Sequence, residues 1–242
     1  MSSTIKQTIR REYLKCAQEP VHFMRKYCTI QHPLKGKIKF DLYDFQEKTV
    51  GELQTHSYNV ILKSRQLGIS TLSAGYSLWM MLFHQDKNVL VIAKDKDTAK
   101  NLVTKVRVMY HHLPSWLKTG VEEDNKLSFR FNNGSQIKAV AATSEAGRSE
   151  ALSLLIIDEA AFIDHIDSIW TAAQQTLATG GDCLVLSTPN GVGNWFHKIW
   201  MEAIDEVNKF NFIKLHWSVH PERDQEWRIE QDRVLGPKQA SQ

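Results

Sequence analysis

Apolar residues along this chain fall into two textures that alternate. Short, nearly unbroken aliphatic runs occupy residues 59–63, 88–93, 152–157, 183–186 and 210–215, each bounded by polar or glycine-containing stretches. Runs of that length, apolar at most positions, predict strands buried on both faces. Between them lie longer stretches with helical spacing. Ser70 and Thr71 open an apolar run over 72–83, residues 95–98 cap a helix over 99–110, and a further helix is predicted around 167–177. Strand alternating with helix predicts an α/β fold, a mostly parallel central sheet with helices on both faces. One segment breaks the rhythm. Residues 127–131 and 136–140 alternate apolar with polar around Asn132-Asn133-Gly134, which reads as a hairpin.

The ends of the chain are different. Ile5, Ile9, Tyr13, Leu14 and Ala17 sit near helical spacing over 4–17, and Pro20 precedes a second short helix over 21–27. Residues 36–42 form a basic, extended approach to Tyr43-Asp44-Phe45-Gln46, where Asp44 can cap a helix reaching about His56. From Trp217 onward the chain is polar and aromatic and reads as a linker. The division expected is a helical lead over 1–56, a core over 57–217 and a C-terminal segment over 218–242, the outer parts forming small helical subdomains.

Composition narrows this picture only a little. With 242 residues, 42% hydrophobic and 24% charged, the chain is long enough for a sizeable core. No apolar run approaches the ~20 residues of a membrane helix. The first eleven residues are polar and basic, unlike a secretion signal. Cys16, Cys28 and Cys183 have no metal-type spacing, and their odd number suits a reducing compartment. Thirty basic against 27 acidic residues give a net charge of +3, too close to balance to argue nucleic-acid binding by itself. Two local clusters, Lys35, Lys37 and Lys39, then Lys94, Lys96, Lys100, Lys105 and Arg107, are either DNA contacts or solvated faces. The ten histidines are not read as a metal site. His111-His112 reads as a solvated helix end, and His165 is no more than a neighbour of the carboxylates considered next. Trp79, Met80 and Met81 read as core packing.

Chemistry concentrates where strands end. After the run at 59–63 come Ser64, Arg65, Gln66, Leu67, Gly68 and Ile69, and then the helix opened by Ser70 and Thr71. Strand, tight loop and helix is the context in which backbone N–H groups and a helix N-terminus hold a phosphate chain. Against the pattern G-x-x-x-x-G-K-[ST], Gly68 and Ser70 fit, but Ile69 stands where the lysine belongs. Lys63, at the mouth of the loop, could supply that ammonium from the other end, or be a solvated strand terminus. A second strand, at 154–157, runs into Asp158-Glu159. In a phosphate-binding site an Asp there holds Mg²⁺, and a Glu beside it polarises an attacking water, which points to hydrolysis rather than phosphoryl transfer to a second substrate. A third strand, 184–186, ends in Ser187-Thr188-Pro189-Asn190-Gly191. Its polar tip either responds to the γ-phosphate or is an ordinary turn.

Taken in order, Gln46 within Tyr-Asp-Phe-Gln, Lys-Ser-Arg-Gln-Leu-Gly-Ile-Ser, Leu-Ile-Ile-Asp-Glu-Ala and Leu-Ser-Thr-Pro-Asn-Gly resemble the large subunit of tailed-bacteriophage terminases. The later run Trp217-Ser218-Val219-His220-Pro221 with Arg223-Asp224 and Trp227 also resembles this family. The resemblance implies a P-loop NTPase fold of the ASCE type and an ATPase, dependent on ATP and Mg²⁺, that drives viral double-stranded DNA into a procapsid. It implies that Gln46 reads the adenine edge with Tyr43 or Phe45 stacking nearby, and that Lys63 replaces the lysine missing at Ile69. It further implies that Arg65 reaches the phosphates, that Ser70 (Thr71 as second choice) and Asp158 hold the metal, and that Glu159 activates water. Ser187, Thr188 and Asn190 match the motif coupling hydrolysis to movement. Arg148 resembles a finger inserted into a neighbouring subunit's site, worth about 10³–10⁵ in rate, with a local bond to Glu150 as the alternative. The partners implied are DNA, a portal protein, a small terminase subunit and further copies in a ring, with no membrane, in the host cytoplasm; an isolated chain could be monomeric. Terminases usually continue into a nuclease domain, for which no room follows Trp217, so an isolated ATPase portion without nuclease activity is expected. A superfamily 2 helicase-like translocase and a non-hydrolysing nucleotide scaffold are the competing readings.

Overall fold

The computed structural model describes residues 3–32, 34–143 and 151–236. Two N-terminal helices, α1 (Ser3–Gln18) and α2 (Pro20–Tyr27), lead into a small antiparallel hairpin, β1 (Thr29–His32) with β2 (Gly36–Lys39), and then into α3 (Asp44–Thr55). The main unit follows as β3 (Tyr58–Lys63), α4 (Ile69–Phe83), β4 (Asn88–Ala93), α5 (Lys96–His111), β5 (Val121–Asp124), β6 (Ser128–Phe131), β7 (Gln136–Ala141), β8 (Leu154–Asp158), α6 (Ile166–Leu177), β9 (Asp182–Ser187), α7 (Trp195–Ile204) and β10 (Asn211–Leu215). Helix α8 (Gln225–Leu235) comes last.

The main sheet is ordered β10-β3-β9-β8-β4-β7-β6-β5. It is parallel from β10 to β7 and antiparallel at the β7-β6-β5 edge. The aliphatic runs of β3, β4, β8 and β9 are buried on both faces, as their composition predicts, and the pleat sends alternate side chains to opposite cores, whereas β10 at the sheet edge leaves Phe212 and Lys214 exposed. In β8, Leu154 and Ile156 join the cluster under α4, α5 and the N-terminal helices, while Leu155 and Ile157 join the cluster under α6 and α7. Helix α4 is buried around almost its whole circumference, because the sheet covers one side and the N-terminal helices the other. Trp79, Met80 and Met81 are core residues of that helix, and Trp79 Nε1 donates to the Cys16 carbonyl at 2.9 Å.

Three features depart from the sequence expectation. The basic approach at 36–42 is extended at its start as expected, but Gly36–Lys39 pairs as β2 with β1 in a hairpin that the sequence did not announce. The stripe Trp195, Phe196, Ile199, Trp200 and Ala203 forms α7, which the preceding Pro-Asn-Gly turn had obscured. The segment after Trp217, expected as a linker, contains α8, which buries no residue completely. Its Asp224 N-cap accepts from Trp227 N at 2.8 Å, and an Arg228–Asp232 pair one turn apart supports it further. Among the described residues no helix is long and apolar enough to cross a membrane.

Candidate active site at the carboxyl edge of the sheet

Parallel strands deliver their C-terminal ends to one edge. Register does this here: Leu62 of β3 pairs with Ser187 of β9, and Leu186 of β9 pairs with Asp158 of β8. Lys63, Asp158-Glu159 and Ser187-Thr188, remote in sequence, are therefore neighbours.

The loop from Ser64 to Gly68 turns sharply, with Gln66 at φ 58° and Gly68 at φ 74°, both in the left-handed region. At Gly68 a Cβ would stand 2.7 Å from Gln46 Nε2, so only glycine fits. Gln46 is buried; its Oε1 accepts from Tyr43 N at 3.1 Å, completing the cap of α3, and its Nε2 donates to the Leu67 carbonyl at 3.0 Å. This amide fastens the loop to α3 while keeping a second N–H and a second lone pair. Tyr43 and Phe45 stack with ring centroids 5.7 Å apart, and the His220 ring lies 4.6 Å from Tyr43.

Ile69 is 2% exposed and packed in the core, so the position supplies no charge. Lys63 is also buried, and its Nζ lies 2.8 Å from Glu159 Oε1. Glu159 adopts φ 56°, and its Oε2 accepts from Thr188 Oγ1 at 3.2 Å and Thr188 N at 3.4 Å. Ser187 Oγ accepts from Ala161 N at 3.0 Å, and Asn190 Nδ2 donates to the Ala161 carbonyl at 3.0 Å. The tip of β9 thus grips both the acid and the turn that follows it.

Ser70 Oγ donates to Asp158 Oδ2 at 2.9 Å. Asp158 is 4% exposed, and its Oδ1 has no partner among the described residues. Burial raises the Asp158 carboxyl above its usual range, against the pull of Lys63 and Ser70. A buried oxygen without a partner is costly. Two hard oxygen donors, one of them orphaned, fit a hydrated Mg²⁺.

A cavity of about 790 Å³ joins these groups and is lined by Tyr43, Gln46, Lys63, Gln66 to Thr71 and Glu159. Ser64, whose N–H goes to the Leu215 carbonyl at 2.9 Å, and the exposed Arg65 lie outside that lining. Arg148 lies outside the described residues.

Sequence reasoning missed three residues here. Lys105 of α5, grouped with a surface cluster, lines the cavity instead; burial lowers its pKa, with Asp158 opposing and Lys63 adding to that shift. The His220 ring lines the cavity beside Tyr43, and burial lowers its pKa too. Arg223 donates from Nη1 to the Arg65 carbonyl at 3.0 Å and from Nη2 to the Gln66 carbonyl at 3.1 Å, with its guanidinium 4.6 Å from the Trp227 ring centre. The aromatic-basic run after Trp217 held a signal for the last two. Nothing in the spacing around Lys105 marked it.

A family model described as terminase large subunit, T4likevirus-type, N-terminal, matches residues 60–238. Among solved structures, the chain is similar to the large terminase ATPase domain of Thermus phage P74-26, at 23% identity and TM-score 0.63, covering 83% of this chain and 91% of that one. It is similar to the HK97 bacteriophage large terminase at 17% identity and TM-score 0.67, covering 93% of this chain and 50% of that one. The large terminase of a thermophilic bacteriophage, in complex with ADP, matches at 14% identity and TM-score 0.62, over 79% of this chain and 50% of that one. The chain therefore spans about half the length of the longer large terminases it matches.

Proposed function

We propose a mechanism for this chain from the premise that it belongs to the terminase large-subunit family, T4-like type, and is an ATPase component of a phage DNA-packaging motor. The family match decides between the terminase and helicase readings in favour of the former. Mg-ATP enters the cavity with its base toward Tyr43, Phe45 and Gln46 and its phosphates over the Gly68–Thr71 turn, where α4 begins. Ser70 and Asp158 would hold Mg²⁺, which would neutralise charge on the phosphate oxygens. Lys63 turns from Glu159 to the phosphates, and the freed Glu159 accepts a proton from the attacking water. Thr188 keeps the Glu159 carboxylate oriented, and the same contact carries loss of the γ-phosphate to the tip of β9 and on to Asn190.

The observation that carries this reading is the pair of contacts at one cavity, Lys63 with Glu159 and Ser70 with Asp158. Steady-state ATP hydrolysis by the wild type and by Lys63→Ala tests it. Turnover in the wild type and its loss in the variant are expected; equal, near-zero turnover in both would favour a nucleotide-binding scaffold.

Beyond the single chain, we propose double-stranded DNA as cargo, a portal protein and small terminase subunit as partners, a ring of identical subunits, and the host cytoplasm as the place of work. Arg148 is proposed to complete a neighbour's site. Mixing Arg148→Ala with Glu159→Gln subunits is expected to restore some turnover, and mixtures that assemble yet stay inactive would reject a shared site.

A further inference from the structure

We propose that Lys105 is a second phosphate-binding cation of this site, reaching the γ-phosphate of the nucleotide from α5. The proposal rests on the nucleotide reading above and adds a residue to it. Its starting point is a shortage of positive charge. Ile69 fills the lysine position of the loop with a core side chain, and the ammonium of Lys63 is already engaged by Glu159 at 2.8 Å. A triphosphate entering this cavity meets Lys63, half neutralised in advance, and Lys39, whose Nζ already donates to the Lys26 carbonyl at 3.2 Å.

Lys105 is placed to supply the difference. Helix α5 is fixed by Leu102, Val103, Val106 and Met109, all buried in the core it shares with α4. That anchoring turns Lys105 into the cavity beside Ser70, Thr71 and Glu159, rather than toward solvent with Lys94 and Lys96. Lys105 also lines a smaller adjoining cavity of about 280 Å³, together with Thr71 and Thr104, so its ammonium has room to move between the two. Among the described residues it has no hydrogen-bond or salt-bridge partner, and the charges acting on it are the attractive Asp158 and the repulsive Lys63. A half-buried ammonium repelled by the neighbouring cation gains most from an anionic ligand arriving between the two. The charges that act on Lys105, Asp158 and Lys63, are those at the strand ends over which the phosphates are proposed to lie, which selects the terminal phosphate rather than the base.

Calorimetric titration of the full chain with ATP-γ-S and with ADP, each with Mg²⁺, tests this in the wild type, Lys105→Gln and Lys105→Arg. For Lys105→Gln, affinity for ATP-γ-S is expected to fall about tenfold or more, while affinity for ADP changes by less than about twofold. Lys105→Arg is expected to retain most of the preference for ATP-γ-S. If the glutamine variant does not fold, Lys105→Met, which keeps the apolar stem, takes its place. A neutral variant that matches the wild type for both nucleotides, or loses both equally, overturns the assignment of Lys105 alone. A wild type that binds neither nucleotide overturns the nucleotide reading and this proposal together.

Discussion

Two carboxylate clusters in this molecule look alike in composition and differ in how completely they are satisfied. At the α1–α2 junction, a single oxygen of Glu12 accepts from His22 Nε2 at 2.7 Å, Lys26 Nζ at 2.8 Å and Tyr27 Oη at 2.9 Å. These donors hold its carboxyl down at about 2, Lys26 most of all. Glu12, Cys16 and His22 even have ligand atoms within 4.8 Å of one another, as a metal site would. Yet the glutamate oxygen is saturated by cationic and phenolic donors, and burial pushes the Cys16 thiol up to about 12. That cluster ties two helices together. At the sheet edge the balance reverses: Asp158 is buried, its carboxyl is raised rather than lowered, and one oxygen has no donor among the described residues. A cluster whose polar groups satisfy one another does structural work, whereas one left unsatisfied is built for something that arrives later.

The contrast is sharpest if substitutions at the two clusters affect different observables. Glu159→Gln is expected to lower the rate of ATP hydrolysis by about 10²–10⁴ while leaving nucleotide binding in place; an unchanged kcat would remove Glu159 from its role. Lys63→Ala removes a buried cation that contacts Glu159 and, in the proposed mechanism, turns to the phosphates; it is expected to weaken ATP-γ-S binding about tenfold to a hundredfold, read by titration. Asp158→Asn relieves a buried, underpaired charge. Its melting temperature without nucleotide is expected to match or exceed the wild type, while the further rise on adding Mg-ATP-γ-S is lost. A fall in the nucleotide-free melting temperature would instead put Asp158 in the same class as Glu12.

The smallest effect is expected at Glu12 itself. Glu12→Gln should cost about 1 kcal/mol of stability and leave ATP hydrolysis unaltered. Because the Glu12 carboxyl is depressed in the folded state, its contribution is fully present above the ordinary carboxyl value of 4.5 and is lost as pH falls through about 2. Denaturant melts of wild type and Glu12→Gln should therefore differ at neutral pH and converge toward pH 2. A gap that stays constant across that window would mean the side chain stabilises by packing rather than charge.

Much of the site was legible because its residues sit where strand runs stop. Lys63, Asp158-Glu159 and Ser187-Thr188 each follow an aliphatic run, and a parallel sheet puts such ends on one edge. The glycine at 68 was readable as a turn, since few residues tolerate its backbone angles. Lys105 was not readable as part of a site, and His220 and Arg223 were readable only as members of the aromatic-basic run after Trp217. Each reaches the loop or cavity from an element that continues elsewhere, and no local pattern records which side of α5, or which turn after β10, faces inward.

The order of buried runs and helical stretches determined by itself that the chain would form a mainly parallel sheet covered on both faces, because only that arrangement buries strands that are apolar throughout. The hydroxyl, the glycine and the two acids of the proposed phosphate site were likewise written in short contiguous motifs. What only the tertiary structure decided is which charges meet: that Lys63 is held by Glu159, that one Asp158 oxygen has no partner among the described residues, and that Lys105 faces the same cavity. Contacts of this kind join residues far apart in the chain through the register of β3, β9 and β8 and the packing of α5 on α4. Electrostatic interaction depends on distance and burial, and neither is a property of a residue's neighbours in sequence.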